Sequence, residues 1–432
     1  MLRKSFEKKL IRYTRQFFAT HPDVKLIAVT GSAGKMSTKI AIATVLSEQF
    51  AVAMREDEPT SHWQVLLQIM GVHYPDIPEK KWNWLMRRRM LRAVKRRAHA
   101  TQADAQVIVQ EFSSMEVGFL AWFADVVLPD IAVITSVTSG RMQVAYPVEQ
   151  VAQEVLTLAN NARFAMINRD DIDGRFAAFL TNPQMTTYGT NNIAEYYFDE
   201  QSFSLEDGHK GLMISPEYPE GFAVTARLLG VHNVRPAVAA MAVAVKLQTQ
   251  PEVIARGIAR LASLPGRMRI LRGAVGTTLI DDTYSSSPLT AQAALQTLYS
   301  LEAPQRIAVF GTMNGLHQEA GQAHAELGSQ CSPTELDWVV TVGNMANQFL
   351  APAARQQGCQ VKACHDALEA GAFVRDKLRP GCIVLFKGSS GGVWLEEAIK
   401  INLHSIRDER LLVRQSKQWL AKKDQFFSRF GD

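Results

Sequence analysis

No stretch of the sequence reaches the roughly 20 apolar residues a membrane-spanning helix needs. The N-terminus, MLRKSFEKKLIRYTRQFF, is basic and amphipathic, but it lacks the apolar core and cleavage site of a secretory leader. From these two absences we expect a cytoplasmic protein. Cysteine is scarce: Cys331, Cys359, Cys364 and Cys382 are the only four, all in the last quarter of the chain. No CxxC pair occurs and no histidine stands at zinc-finger spacing, so buried thiols are expected in place of disulfides or structural zinc. Charge of one sign is also in short supply. A net charge of +5 demands no polyanionic partner, and a nucleic-acid-binding ATPase would need a stronger basic balance.

What is present is a chain of 432 residues, 47% hydrophobic and 21% charged, the composition of a soluble globular protein of two or three domains. Its organising stretch is LIAVTGSAGKMST, Leu26 to Thr38. A short apolar run with strand character leads into Gly31, Ser32, Ala33 and Gly34. Lys35 follows, and then a helix from Ser37 to Phe50. Small residues let backbone N–H groups close around an anion, a helix N-terminus adds positive potential, and a lysine can reach terminal phosphates. The spacing is GxxGK, shorter than GxxxxGK, so an ordinary strand-to-helix turn is the competing reading.

The pattern around this loop is strand alternating with helix. Residues 1–22 read as a helix with Leu2, Phe6, Leu10, Tyr13 and Phe17 on one stripe; a solvated basic face is the plain reading and a membrane-surface role the lesser one. Residues 79–99 (EKKWNWLMRRRMLRAVKRRAH) are the most biased of all. As a helix they would bury Trp82, Leu85, Met86, Leu91 and Val94 and present a dense cationic face, either simply solvated or facing an anionic ligand. Strands are expected at 106–110, ending at Glu111, and at 131–135 and 164–167, with a small antiparallel patch over 185–227 and a helix capped by Asn233. Ser263 to Gly266 marks a boundary. Beyond it, strands at 277–280, 306–310, 338–342, 360–362 and 382–386 alternate with helices, and a charged helical tail starts at Ile406. We therefore expect an α/β protein: a basic helix over 1–25, a central nucleotide-binding domain with a mostly parallel sheet over 26–263, and a Rossmann-like α/β domain over 264–432.

With these pieces placed, the chain resembles the Mur ligase superfamily, most of all the branch that adds D-alanyl-D-alanine to a UDP-muramoyl peptide. VTGSAGKMSTK looks like that family's VTGSNGKTTTK, and PDIAVITSV like PDVAVITNI. LLGVHNVRPAVAAMAVA is similar to LLGRHNVYNALAAAAVA, and GRM at 266–268 with LIDDTYSSSP resembles GRM…LIDDSYNANP. RIAVFGTMNGL and VLFKGSSGG resemble further stretches of its C-terminal domain.

The resemblance implies an ATP-dependent carboxylate–amine ligase of cell-wall type, working through an acyl phosphate with ATP and Mg2+ at the loop, and anionic peptide or amino-acid substrates. Carried over by residue, Gly31, Ser32, Ala33, Gly34, Lys35, Ser37 and Thr38 would cradle phosphates, and Glu111, with Ser37, would hold Mg2+. His232 and Asn233 would sit near the nucleotide, Arg267 would reach phosphate from the second domain, Asp281 and Asp282 would orient nucleotide and metal-bound phosphates, and Lys387 would face the acceptor.

The sequence also departs from the family. The glycine loop begins at residue 31, so the separate UDP-sugar-gripping domain is expected to be absent, as in polyglutamate-type ligases. Met36 replaces the hydroxyl residue that ligates magnesium, Val155 stands where a carbamylated lysine is expected, and Arg141 aligns near the histidine of a second metal site, where a guanidinium could neutralise the transferring phosphate. Met115, Ser285, Ser287 and Ser390 mark further differences. A degenerate member that binds nucleotide without ligating, or a polyglutamate-type ligase, is the alternative reading.

Overall fold

The structure, a computed structural model, describes residues 2–428 apart from 56, 58, 60, 76, 114–116, 139–145 and 390. The chain forms two compact units. One comprises the residues up to Arg227 together with Asn233–Leu261, and the other comprises Leu228–His232 and the residues from Ala262 onward.

The first unit is built on one nine-stranded sheet. Its strands are β1 (Lys25–Thr30), β2 (Val52–Met54), β3 (Val107–Phe112), β4 (Ile131–Ile134), β5 (Phe164–Asn168), β6 (Met185–Gly189), β7 (Tyr196–Ser204), β8 (Gly208–Ser215) and β9 (Tyr218–Ala226). They lie in the order β2-β3-β1-β4-β5-β6-β7-β8-β9. Pairing is parallel from β2 across to β7 and antiparallel through β7, β8 and β9. The apolar runs explain the division. β1, β3 and β4 are buried nearly throughout, as strands covered on both faces must be, whereas β7 and β9 carry exposed residues along their length.

Helices α1 (Leu2–Thr20), α2 (Lys35–Leu46), α3 (His62–Ile69), α4 (Trp84–Ala98), α5 (Phe119–Val126), α6 (Val148–Asn160), α7 (Arg235–Lys246) and α8 (Pro251–Ala259) complete the unit. Alanine-rich α7 buries every residue from Ala237 to Val245. Gly257 on α8 permits close approach to α2, since a Cβ there would lie 2.7 Å from the Val45 Cα.

The second unit has a six-stranded sheet of β10 (Arg269–Arg272), β11 (Thr278–Asp282), β12 (Arg306–Gly311), β13 (Trp338–Val342), β14 (Val361–Cys364) and β15 (Ile383–Lys387). The order is β10-β11-β15-β12-β13-β14, parallel except for β10. It is flanked by α9 (Pro288–Tyr299), α10 (Ala320–Ser329), α11 (Ala351–Gln356), α12 (Ala367–Lys377), α13 (Glu396–Asn402) and α14 (Lys417–Phe427). All four cysteines are unpaired and buried here, and burial raises each thiol above its ordinary value.

Local boundaries differ from the sequence pattern in four informative places. α2 starts at Lys35, two residues earlier than expected, because Gly34 in the left-handed region turns the chain directly into the helix. β3 runs on to Phe112, so Glu111 lies within the strand. The N-cap of α7 is Val234, with no side-chain cap, and Asn233 instead ends a short 3-10 turn; Pro236 in the first turn presets the helix. Leu85, expected inside, is exposed, and α4 buries Met90, Val94 and Ala98.

Candidate active site

In the first unit, β1 lies between β3 and β4 in parallel register, with Val29 opposite both Glu111 and Val133. Chain order reverses across β1, so the C-terminal ends of these strands frame the crevice where open α/β sheets take their ligands. Three things meet there: the loop Gly31–Gly34, the carboxylate of Glu111, and Thr135–Ser136 after β4.

The loop is shaped from its β4 side. Ser32 N donates to Ser136 O at 2.9 Å, Ala33 N to Ser136 Oγ at 2.8 Å, and Thr135 Oγ1 to Ala33 O at 2.5 Å. The Ser32 hydroxyl exchanges hydrogen bonds with the backbone of Thr138, both at 3.0 Å. Gly31 has φ 142°, and a Cβ there would sit 2.2 Å from Thr135 Oγ1. Only glycine fits. Ser32 and Ala33 are therefore used in holding the loop's form. The groups that face an incoming anion are the opening N–H groups of α2, which helix geometry leaves without intrahelical acceptors and which no side chain caps. Lys35 is buried, and its Nζ donates to Gly31 O at 2.9 Å, folding the cation over the loop. Ser37 is half-buried and Thr38 buried.

Glu111 is buried and answered by a cation. Lys39 Nζ, one turn beyond Lys35, lies 3.3 Å from Oε2, while Ser113 Oγ donates to Oε1 at 3.2 Å. Oε2 nevertheless has no hydrogen-bond partner among the described residues. A buried carboxylate oxygen left in that condition beside a phosphate-type loop fits a magnesium ion held by one protein carboxylate, phosphate oxygens and water. Among the described residues no cluster of three or more His, Cys, Asp or Glu could hold a metal by itself. Val155 is buried in the hydrophobic core, and its neighbour Glu154 accepts from Gly118 N at 2.7 Å and Leu120 N at 2.8 Å, capping α5. Arg141, Met115 and Ser390 lie outside the described residues.

A polar relay behind the loop was not assigned from the sequence. Asn168, at the end of β5, donates to Thr135 O at 2.6 Å and to Asp171 Oδ2 at 2.9 Å. Arg235, opening α7, binds Asp170 Oδ2 and both oxygens of Asp171, each at 2.9 Å. Burial raises the Asp171 pKa, and Arg235 opposes the rise. The polar run after a buried strand, Asn168 to Asp171, was the visible signal; its partner lies more than 60 residues away.

In the second unit the assigned residues fall at the adjacent ends of β11 and β15, where Asp282 is opposite Lys387. Lys387 is 1% exposed; its Nζ lies 3.1 Å from Asp282 Oδ2 and also donates to Ser285 O. It is no solvated strand-end lysine. Asp281 is wholly buried and spends its oxygens inside the protein. Oδ2 accepts from Gly266 N at 3.0 Å, and Oδ1 accepts from Thr283 Oγ1 at 2.6 Å and Thr283 N at 3.2 Å. Burial raises its pKa to about 6. Asp282 Oδ1 accepts from Met268 N at 3.3 Å. The two aspartates thus hold the Gly266–Met268 turn by its backbone, and Arg267 between them lays its guanidinium 4.4 Å from the Tyr284 ring centre. Ser287 caps α9 in a reciprocal pair with Thr290.

This second cluster is braced from the C-terminal tail. Arg414 donates to Thr283 O at 2.7 Å and Tyr284 O at 3.2 Å, and forks onto both oxygens of Glu396 at 2.8 Å. Lys423 Nζ reaches Glu396 Oε1 at 2.9 Å. Burial pushes Glu396 upward, but Arg414 and Lys423 outweigh it and hold the carboxylate below its usual range. His232, half-buried, belongs to the second unit, and the chain returns to the first at Asn233, also half-buried.

Two α/β units, one with a glycine loop, buried lysine and strand-end glutamate, define a P-loop type of phosphate-binding protein. Comparison narrows this. Residues 29–244 match the Mur ligase middle domain and residues 266–390 the Mur ligase, glutamate ligase domain. The chain belongs to the Mur ligase family. The UDP-N-acetylmuramoyl-tripeptide–D-alanyl-D-alanine ligase of Bacillus subtilis (strain 168) is 27% identical over 87% of this chain and 75% of its own length. The fold is that of MurF from Acinetobacter baumannii, with a TM-score of 0.71 at 21% identity over 90% of this chain and 79% of that one. It is also that of the Thermotoga maritima MurF ligase solved with ADP, with a TM-score of 0.67 at 17% identity over 91% and 82%.

Proposed function

We propose that the chain is a cytoplasmic ATP-dependent ligase that joins the carboxylate of an anionic peptide or amino-acid substrate to an amine. The observation that carries this is the buried Lys35, folded over a glycine loop at the uncapped N-terminus of α2 beside the incompletely satisfied carboxylate of Glu111. In this reading the N–H groups opening α2 and Lys35 take the β- and γ-phosphates. The substrate carboxylate attacks the γ-phosphorus and ADP leaves; the amine nitrogen then attacks the acyl carbon, gives up a proton to solvent, and phosphate leaves with its bonding electrons. Such chemistry needs alignment and charge neutralisation more than covalent help. A bound Mg2+ would supply charge neutralisation between the phosphate oxygens, with Glu111 as its protein ligand and Ser37 as the candidate hydroxyl. Asp281 and Asp282 serve by fixing the turn that carries Arg267, which is assigned to phosphate, and Lys387 is assigned to the acceptor side. Arg141 is assigned to the transferring phosphate. His232 and Asn233 are assigned to the nucleotide.

The test is phosphate release by the purified chain with ATP and Mg2+ over a panel of carboxylates, including a UDP-muramoyl tripeptide, and amines, including D-alanyl-D-alanine and glutamate. The proposal expects release only when a carboxylate and an amine are both present, and a severe loss of turnover in Arg141→Ala. ATP binding with no turnover across the panel would instead establish the nucleotide-binding, non-ligating reading, which the hydrophobic surroundings of Val155 favour.

A further inference from the structure

The charge of this protein is distributed unevenly. Residues 2–20 hold six lysines and arginines against one glutamate, and residues 79–99 hold nine against one. The remainder has 32 bases against 40 acids, so the net positive charge resides wholly in these two stretches.

The fold brings the two stretches together. α1 and α4 lie side by side: Thr20 Oγ1 donates to Ala98 O at 3.5 Å, Gln16 Nε2 is 3.2 Å from His99 Nε2, and Arg97 lies over the Phe17 ring at 5.5 Å. Between them runs an open groove of about 500 Å³. Phe6, Tyr13, Trp82 and Leu91 form its apolar walls. Lys9, Arg88, Arg92 and Lys95 rim it, and no carboxylate lines it. None of these four cations is within ion-pair distance of a carboxylate among the described residues. At the start of α4, Trp84 and Leu85 stand 57% and 64% exposed, with Arg88 stacked 5.0 Å from the Trp84 ring centre.

We propose that this face docks on the surface of an anionic phospholipid bilayer, with Trp84 and Leu85 entering the headgroup–acyl boundary and Lys9, Arg88, Arg92 and Lys95 taking lipid phosphates. An aromatic ring and an aliphatic side chain held in water beside long cationic stems is the interfacial pattern, in which the stems reach outward to phosphate while the apolar tips descend. A polynucleotide would use the cations and could stack on Trp84, but Leu85 offers it nothing. No residue of the glycine loop lines the groove, and the proposal stands whether or not that loop turns over ATP.

The test is flotation of the full chain with vesicles of phosphatidylglycerol in phosphatidylcholine, and with phosphatidylcholine alone, across a salt series. The chain is expected to float with the anionic vesicles only, and less as salt rises. Arg88→Gln with Arg92→Gln should weaken binding on the order of 25-fold, about fivefold per cation removed. Trp84→Ser with Leu85→Ser should also weaken it while leaving the salt dependence in place. Lipids brominated near the headgroup should quench wild-type fluorescence more than that of Trp84→Phe. These positions are exposed, and an unchanged melting temperature confirms that the variants fold. The proposal is overturned by equal flotation with uncharged vesicles, by variants that float like the parent, or by retention on DNA without flotation.

Discussion

The two sheets end in different electrostatic conditions. At the edge of β1, β3 and β4 the lysine of the glycine loop rests on a backbone carbonyl, and the neighbouring Lys39–Glu111 pair meets at 3.3 Å with Oε2 lacking a hydrogen bond. At the edge of β11 and β15 the ion pairs close tightly: Lys387 with Asp282 at 3.1 Å, and Glu396 with Arg414 at 2.8 Å and Lys423 at 2.9 Å. A buried carboxylate oxygen left without a hydrogen bond is costly, and a fold keeps one where a ligand completes it. The first edge thus offers a metal ion the open oxygen of Glu111 and an anion the N–H groups opening α2. The second is arranged to hold a backbone turn, and through it Arg267, in one place.

If the second edge is a brace, cutting it should cost stability more than anything done at the first. Glu396→Ala would leave Arg414 buried without its counter-ion and Lys423 with Glu397 alone, and denaturant unfolding should register a loss of about 3–5 kcal/mol. A loss below about 1 kcal/mol would dissolve the contrast. Asp281 sharpens it through pH. Burial raises its native pKa to about 6 from an ordinary 3.8, so the folded state binds the proton more tightly than the unfolded chain. Its contribution is then greatest at acid pH and is lost as pH rises through about 4 to 6, by at most about 3 kcal/mol. Unfolding free energies measured at pH 4 and pH 7 should show that decline in the parent and not in Asp281→Asn. At the first edge, Thr135→Val removes a hydroxyl that donates to Ala33 O while keeping its bulk. Stability should fall by only about 1 kcal/mol. ATP affinity, read by calorimetry, should fall further than that, because the loop loses its form.

The contrast was only half legible in the sequence. Strands such as IAVI and CIVLF are short apolar runs between turn residues, and the parallel sheets follow from their alternation with helices. The glycine loop is local chemistry, readable from adjacent residues. What could not be read was every partnership across sequence distance. Asn168 meets Thr135 over 33 residues and Arg414 meets Thr283 over 131, and nothing in either neighbourhood names the other. Asp281 and Asp282 read as a ligand-facing pair, whereas burial turns Asp281 inward to hold Gly266. Leu85 failed for a different reason. Helical periodicity locates an apolar stripe but cannot say which member overhangs the packed face, and here the stripe shifts to Met90, Val94 and Ala98. β10 was missed because its alternating RILR is too short to stand out.

Calorimetric titration of ATP with Mg2+ into the full chain, beside its Lys35→Ala variant, tests the phosphate-loop account most directly. The account predicts binding by the parent and a weakening of at least about tenfold in the variant, in line with the loss of a charge-assisted phosphate contact. Absence of binding by the parent, or equal affinity in the two proteins, would contradict it.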